Sequence, residues 1–80
     1  MLRKYPLDSI EKPGGTTIWY VLVFDETGAM FVQETHDYDQ PNKNDRVSFL
    51  SPENFDRDVN GKTLRKLVIE KLGKILPQSN

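Results

Sequence analysis

The chain has 80 residues, a formal net charge of −1, 36% apolar residues and no cysteine. A chain of this length forms one small domain, and we expect a single domain over residues 1–80. The lack of cysteine excludes disulfides, thiolate zinc sites and thiol nucleophiles. Because the sequence has neither a long apolar run nor the apolar core of a secretory signal, we expect a soluble, cytoplasmic protein.

The small net charge conceals three segments of different charge. Residues 1–24 have a net charge of +1, whereas residues 25–58 contain nine acidic and three basic residues, a net charge of −6. Residues 59–80 contain five basic residues and one acidic residue, a net charge of +4. Such segregation influences the choice of partner and the rate of association, although acidic loops and a basic helix that merely face water would also produce it.

The first 15 residues are rich in proline and glycine. Pro6, Pro13, Gly14 and Gly15 resist regular structure and predict an N-terminal arm that ends in a turn. Apolar residues in the arm could attach it to the rest of the domain. The arm is therefore a candidate fourth strand of the sheet, or a cover for one of its faces.

A β-hairpin is the clearest element of the sequence. Residues 16–24 are dense in β-branched and aromatic side chains, which favour a strand. Asp25 can brace a following turn through its side chain, and Gly28 can adopt the left-handed conformation that closes the turn. Residues 29–35 then form the returning strand of an antiparallel pair.

The predicted sheet region covers residues 16–50 and ends in a short third strand. Residues 36–46 are polar and predict a loop or a frayed strand end, whereas residues 47–50 are apolar enough for a strand. Ser51 followed by Pro52 is typical of a helix start. Residues 51–60 are therefore predicted to form a short helix or turn.

The last predicted element is an amphipathic helix over residues 61–76. It begins at Gly61 or Lys62 and ends before Pro77. Its apolar residues lie three and four positions apart, on one half of the helix surface: Leu64, Leu67, Val68, Leu72, Ile75 and Leu76. We therefore expect an α+β fold, with a small antiparallel sheet packed by one C-terminal helix.

Both faces of the first hairpin strand are apolar, although a single helix can cover only one of them. The other face must be covered by the N-terminal arm, by a second copy of the chain or by a partner protein. Trp19 would be an aromatic anchor there, and acidic loop residues would favour a basic partner. We therefore expect a homodimer or a protein partner with a basic surface, bound through Trp19, Val21, Val23, Phe31, Asp37 and Asp39.

The order of the elements resembles that of the single-stranded-DNA-binding transcriptional coactivators, in which a curved antiparallel sheet precedes one dimerising helix. The resemblance runs from Trp19 to Leu76 and includes the stretch VSFLSPENF at residues 47–55. It implies a nucleic-acid-binding sheet, which needs basic side chains for phosphates and aromatic rings for bases. Because residues 13–42 contain five acidic residues and no lysine or arginine, we do not assign the chain to this family.

Nucleic acid remains an alternative partner for the C-terminal helix. The basic residues there could contact phosphates, although the low isoelectric point of 5.7 is unlike that of most nucleic-acid-binding domains. The alternative function is an accessory protein for single-stranded DNA or RNA. Its predicted contact residues are Lys62, Arg65, Lys66, Lys71 and Lys74.

Two short motifs are compatible with chemistry but do not predict an enzyme. Gly61-Lys62-Thr63 ends like a phosphate-binding loop, yet the glycine that such a loop needs five positions earlier is replaced by Asp56. No serine has the G-x-S-x-G context of a nucleophile elbow. With one histidine and little material to enclose a pocket, the chain is predicted to be non-catalytic and to use no cofactor or small-molecule substrate.

The second motif is His36-Asp37-Tyr38-Asp39, at the end of the predicted hairpin. In an extended strand, His36 and Tyr38 share one side and the two carboxylates share the other, so no single site collects all four groups. We expect a solvated polar loop and no metal site. A hard cation held by Asp37, Asp39 and a loop carbonyl is the alternative.

Overall fold

A computed structural model describes residues 2–38 and 45–76. Its main element is a four-stranded antiparallel sheet in the order β1-β2-β3-β4, accompanied by a two-stranded ribbon of β5 and β6 and one helix. The α+β fold with a C-terminal helix is therefore confirmed. The elements are β1 (Arg3–Lys12), β2 (Thr16–Phe24), β3 (Met30–Tyr38), β4 (Arg46–Leu50), β5 (Asp58–Val59), β6 (Lys62–Thr63) and α1 (Leu64–Ile75), with a 3₁₀ turn at Pro52–Asn54.

The N-terminal arm forms a strand. The expectation of irregular structure in this segment is wrong over β1, and the alternative of a fourth strand is confirmed. Pro6 is tolerated because β1 lies at the sheet edge, and the register with β2 shifts between Pro6 and Asp8. The arm therefore extends the sheet sideways and does not cross over either face.

The predicted hairpin is confirmed as β2 and β3, and its turn is held by Asp25. The Asp25 carboxylate accepts hydrogen bonds from the amide and hydroxyl of Thr27, at 2.8 and 2.6 Å, and from the amide of Ala29 at 3.0 Å. These hydrogen bonds, that from the Thr27 side chain above all, lower the pKa of Asp25. Gly28 has a φ of 87°, the left-handed conformation predicted for it.

Two glycines should respond in opposite ways to alanine substitution. A Cβ on Gly28 or on Gly73 meets no atom within 4 Å, so neither substitution causes a clash. Gly28→Ala should lower the free energy of unfolding by about 1–2 kcal/mol, because alanine is strained at positive φ. Gly73→Ala should raise it by about 0.5–1 kcal/mol, because alanine is the better helix former. Urea denaturation followed by circular dichroism measures both changes, and effects of equal sign would contradict this account.

The connection between β4 and α1 contains a small hairpin that the sequence analysis did not predict. The predicted short helix is a single 3₁₀ turn, and the following residues pair as β5 and β6. Asn60 and Gly61, both at positive φ, form the tip. The Asn60 side chain donates hydrogen bonds to the Ser9 carbonyl at 2.8 Å and to the Asp8 carboxylate at 3.3 Å, which ties the ribbon to β1.

Helix α1 starts later than predicted, because Lys62 and Thr63 pair within the ribbon. The Thr63 hydroxyl caps the helix by accepting a hydrogen bond from the Lys66 amide at 3.2 Å. Leu76, predicted on the buried face, is 59% exposed at the extended end of the helix. The space beside Gly73 is empty, so no neighbouring element crosses the helix closely at this glycine. Within the described ranges, no helix is long and apolar enough to cross a membrane.

The core lies between α1 and one face of the sheet. Leu22, Val32, Val59 and Leu64 are completely buried there. Helix α1 and all strands except β1 and β6 supply a buried residue to this cluster, and β1 packs partly buried side chains against it. The buried set is Ile18, Tyr20, Leu22, Val32, Leu50, Phe55, Val59, Leu64 and Val68.

Candidate interaction surface

The sheet face opposite α1, called the open face below, displays a row of apolar side chains. Strand alternation and the β2–β3–β4 register place alternate residues of the three strands on this face. The exposed fractions of Trp19, Val47 and Phe49 are 48%, 50% and 62%. The apolar side chains of the open face are Trp19, Val21, Val23, Phe31, Val47 and Phe49.

The structure brings most of the predicted contact residues together on the open face. Trp19 is half exposed, Val21 and Phe31 are partly buried, and Asp37 is exposed at the end of β3. Val23 departs from the prediction of an exposed side chain, because it is only 1% exposed. Asp39, the remaining residue of the predicted set, lies outside the described residues.

A groove of about 450 Å³ runs across one end of the open face. Val23 is among its lining residues and, being buried, forms its floor. Phe31 and Phe49 form one wall, with their rings edge to face at 6.1 Å between centroids. Leu2, Lys4, Asp25 and Gln33 complete the lining, so the groove has apolar walls and a charged rim.

The centre of the open face contains one polar pair. The Gln33 side-chain amide donates a hydrogen bond to the Thr35 hydroxyl at 3.2 Å. Both residues are half-buried and lie between the apolar residues of β2 and β4. Because the two polar groups already satisfy each other in part, covering them costs less than burying unpaired groups.

The two ends of the open face have different sets of charged side chains. Glu11 and Asp37 line a shallow second groove of about 370 Å³ at the end where β1 meets β2, with Lys12 beside them. Lys4 lies at the other end, opposite Val23 in the register. A chain bound across the whole face would therefore meet Glu11 and Asp37 beside Lys12 at one end, and Lys4 beside Asp25 at the other.

A buried polar cluster lies on the helix side of the sheet and is separate from the open face. Glu34 is 4% exposed, and its carboxylate pairs with Arg57 at 2.7 Å and with His36 at 3.2 Å. Burial and the neighbouring Glu34 raise the pKa of the Tyr20 hydroxyl to about 12. This cluster was not predicted from the sequence, although the alternation of Val32 and Glu34 along β3 places Glu34 on the buried face.

The raised pKa of Tyr20 should make stability fall at alkaline pH. Because the folded state favours the protonated phenol, this contribution is complete below pH 10 and is lost as the pH rises towards 12. We expect urea denaturation to show a fall in the free energy of unfolding across this window, and Tyr20→Phe to remove part of the fall. Tyr5→Phe, which leaves Tyr20 in place, should keep the full fall. An identical pH dependence in wild type and Tyr20→Phe would contradict the assignment.

The basic residues of the alternative nucleic-acid site lie on β6 and α1, across the molecule from the open face. Lys62 pairs with Glu70 at 3.5 Å, and Arg65 donates a hydrogen bond to the Pro52 carbonyl at 3.3 Å. Lys66 and Lys74 are exposed, and Lys71 is partly buried. The two candidate sites therefore share no residues.

The motif at residues 36–38 divides as predicted. The His36 and Tyr38 rings lie on the helix side, 6.2 Å apart, whereas Asp37 belongs to the open face. Among residues 2–38 and 45–76, no group of three or more candidate ligands could hold a metal ion. The alternative cation site needs Asp39, which lies outside these ranges. Comparison of the chain with protein-family models, with curated proteins and with solved structures gives no match.

Proposed function

We propose that this protein is a non-catalytic, cytoplasmic protein-interaction module that binds another protein chain through its open face. The proposal rests on one observation, the exposure of Trp19, Val47 and Phe49 on the same sheet face. Soluble monomers seldom expose a continuous apolar patch of several hundred Å² that serves no purpose. The open face has the composition of an interface core, in which aromatic residues provide most of the binding free energy.

The shape of the open face suits an apolar side chain from the bound protein. The groove floored by Val23 has room for a large side chain, and the Phe31–Phe49 wall offers ring edges and faces to it. Trp19 lies outside this groove, beyond Val21 along β2, and can insert into a matching depression of the bound protein. Such mutual insertion of anchors is typical of interface hot spots.

The acidic end sets the charge that the bound protein must present. Glu11 and Asp37 would repel a second acidic surface and attract a basic one, mainly by increasing the association rate. Charged residues at the rim of an interface contribute more to selectivity than to affinity. We therefore propose a bound chain with an apolar centre and a basic residue opposite this end.

Site-specific photo-cross-linking in the cells that produce the protein tests the proposal. A photoreactive amino acid in place of Val47 should give a cross-linked protein adduct, whereas one in place of Ile69 should give none. Ile69 is a matched control because it is 61% exposed on α1, on the other side of the sheet. Trp19→Thr should reduce the adduct from position 47. Equal yields from both positions, or no adduct from position 47, would overturn the proposal.

A further inference from the structure

We infer that the bound chain is a second copy of this protein, so that two sheets pack face to face through their open faces as a homodimer. This inference rests on the proposed function and specifies the partner. Two observations support it: the area of the open face and the arrangement of its charges. Closed two-fold dimers are also the most common assemblies of small soluble chains.

The open face is large enough for a weak but specific dimer. β1, β2 and β3 each present a stretch of about 27 Å and the five-residue β4 one of about 17 Å. At a spacing of about 4.8 Å, the four strands cover on the order of 500 Å². Two such faces would together bury about 1,000 Å², the lower limit for a specific interface. We therefore expect association at micromolar concentration rather than an obligate dimer.

The register makes the centre of the open face self-complementary about a two-fold axis that runs across the strands. Its two inner rows of residues are centred on Val21 and Trp19, and each row extends to β4, at Phe49 and Val47 respectively. Rotation about an axis between these rows places Trp19 of one copy over Val21 of the other. Within these two rows the half-buried polar residues of β3 also superpose, so apolar residues meet apolar ones and polar residues meet polar ones. In the outer rows, Asp37 of one copy falls on Phe31 of the other.

Charge selects this axis over one that runs along the strands. An axis along the strands would place the acidic end of one copy on the acidic end of the other. The axis across the strands instead superposes the two ends of β1, so that Lys4 of one copy faces Glu11 of the other. Because a two-fold axis repeats every contact, this charge pair forms twice.

Concentration-dependent mass and fluorescence measurements test the dimer. Light scattering and sedimentation from about 1 to 500 µM, a range suited to a weak interface, should show the mass rising from 9.3 kDa towards twice that value. Trp19 is the only tryptophan of the chain. Its emission should therefore shift to shorter wavelength over the same concentration range, as the interface removes it from water.

Matched variants locate the interface. Phe49→Thr on the open face should raise the dissociation constant at least tenfold, whereas Ile69→Thr on α1 should change it less than twofold. The two side chains are 62% and 61% exposed, so the substitutions remove similar exposed apolar groups. Lys4→Glu and Glu11→Lys should each weaken the dimer several-fold. Their combination should restore it, because the pair is rebuilt with reversed signs.

The outcomes separate the dimer from the proposed function. A wild-type mass of 9.3 kDa at the highest concentration would overturn the dimer. A cross-link from position 47 to a different protein would then leave the proposed function standing, whereas no cross-link would overturn both. A dimer that Phe49→Thr does not weaken would place the interface elsewhere. A dimer that the double charge reversal fails to restore would overturn the two-fold axis across the strands.

Discussion

Leu64→Ala is expected to lower the free energy of unfolding by about 3–4 kcal/mol. Leu64 is completely buried in the first turn of α1, and its amide donates a 2.8 Å hydrogen bond to the Arg57 carbonyl. Truncating it leaves a cavity at the point where the helix joins the core. Since an 80-residue domain has a total stability of only about 4–12 kcal/mol, a large share of it would be lost. Urea denaturation followed by circular dichroism measures the change.

Ile69→Ala provides the control for this prediction. Ile69 lies on the same helix but is 61% exposed, so the substitution should change the free energy of unfolding by less than about 0.5 kcal/mol. A similar loss in both variants would show that burial in the core does not determine the effect, since alanine is the better helix former at both positions. That result would contradict the position of Leu64 in the core.

Arg57→Ala is expected to lower the free energy of unfolding by about 2–3 kcal/mol. The Glu34 side chain is 5% exposed, whereas the Arg57 side chain is 48% exposed. Removing Arg57 therefore leaves the Glu34 carboxylate buried without its closest counter-charge. A buried charge left unpaired is the main reason why breaking a buried ion pair destabilises a protein. Removing the charge of Glu34 instead leaves a guanidinium group that water can still reach.

This asymmetry predicts a rescue. Glu34→Gln should cost less than Arg57→Ala, about 1 kcal/mol, and adding Glu34→Gln to Arg57→Ala should recover part of the loss. A double-mutant cycle by urea denaturation measures the coupling between the two positions. A double variant that is less stable than Arg57→Ala alone would contradict the proposed cost of the unpaired carboxylate.

The elements that the sequence predicts best depend on short-range patterns. The β2–β3 hairpin follows from a dense β-branched and aromatic run and from the Asp25 to Gly28 turn, which needs no information from elsewhere in the chain. Helix α1 follows from apolar spacing of three and four residues. Its start is displaced because Lys62 and Thr63 pair with β5, a contact that helix periodicity does not reveal.

The elements that the sequence analysis missed depend on long-range contacts. Pro6 disfavours the prediction of a strand unless its position at a sheet edge is known. Proline lacks the backbone N–H that donates to a neighbouring strand, and a sheet edge tolerates this loss. Asn60-Gly61 has the composition of a tight hairpin turn, but it was predicted to follow a short helix. Glu34 looks like a surface residue until Arg57 is brought to it from 23 positions further along the chain.

The open face could be predicted in part. Alternation along β2 places Trp19, Val21 and Val23 together, and the hairpin adds Phe31. The positions of Val47 and Phe49 require the register between β3 and β4, which the polar segment between these strands does not determine. The burial of Val23 depends on the groove around it and has no signal in the strand itself.

The two edges of the sheet bear on how far association can proceed. The outer edge of β1 contains Pro6 and a register shift, and β4 at the other edge is only five residues long. Proline, irregular register and short length all hinder the addition of further strands. The sheet has an exposed apolar face, but neither of its edge strands readily pairs with a strand of another molecule. The chain is therefore protected against open-ended polymerisation. We therefore expect concentrated solutions to contain small closed assemblies and to resist growth into fibrils.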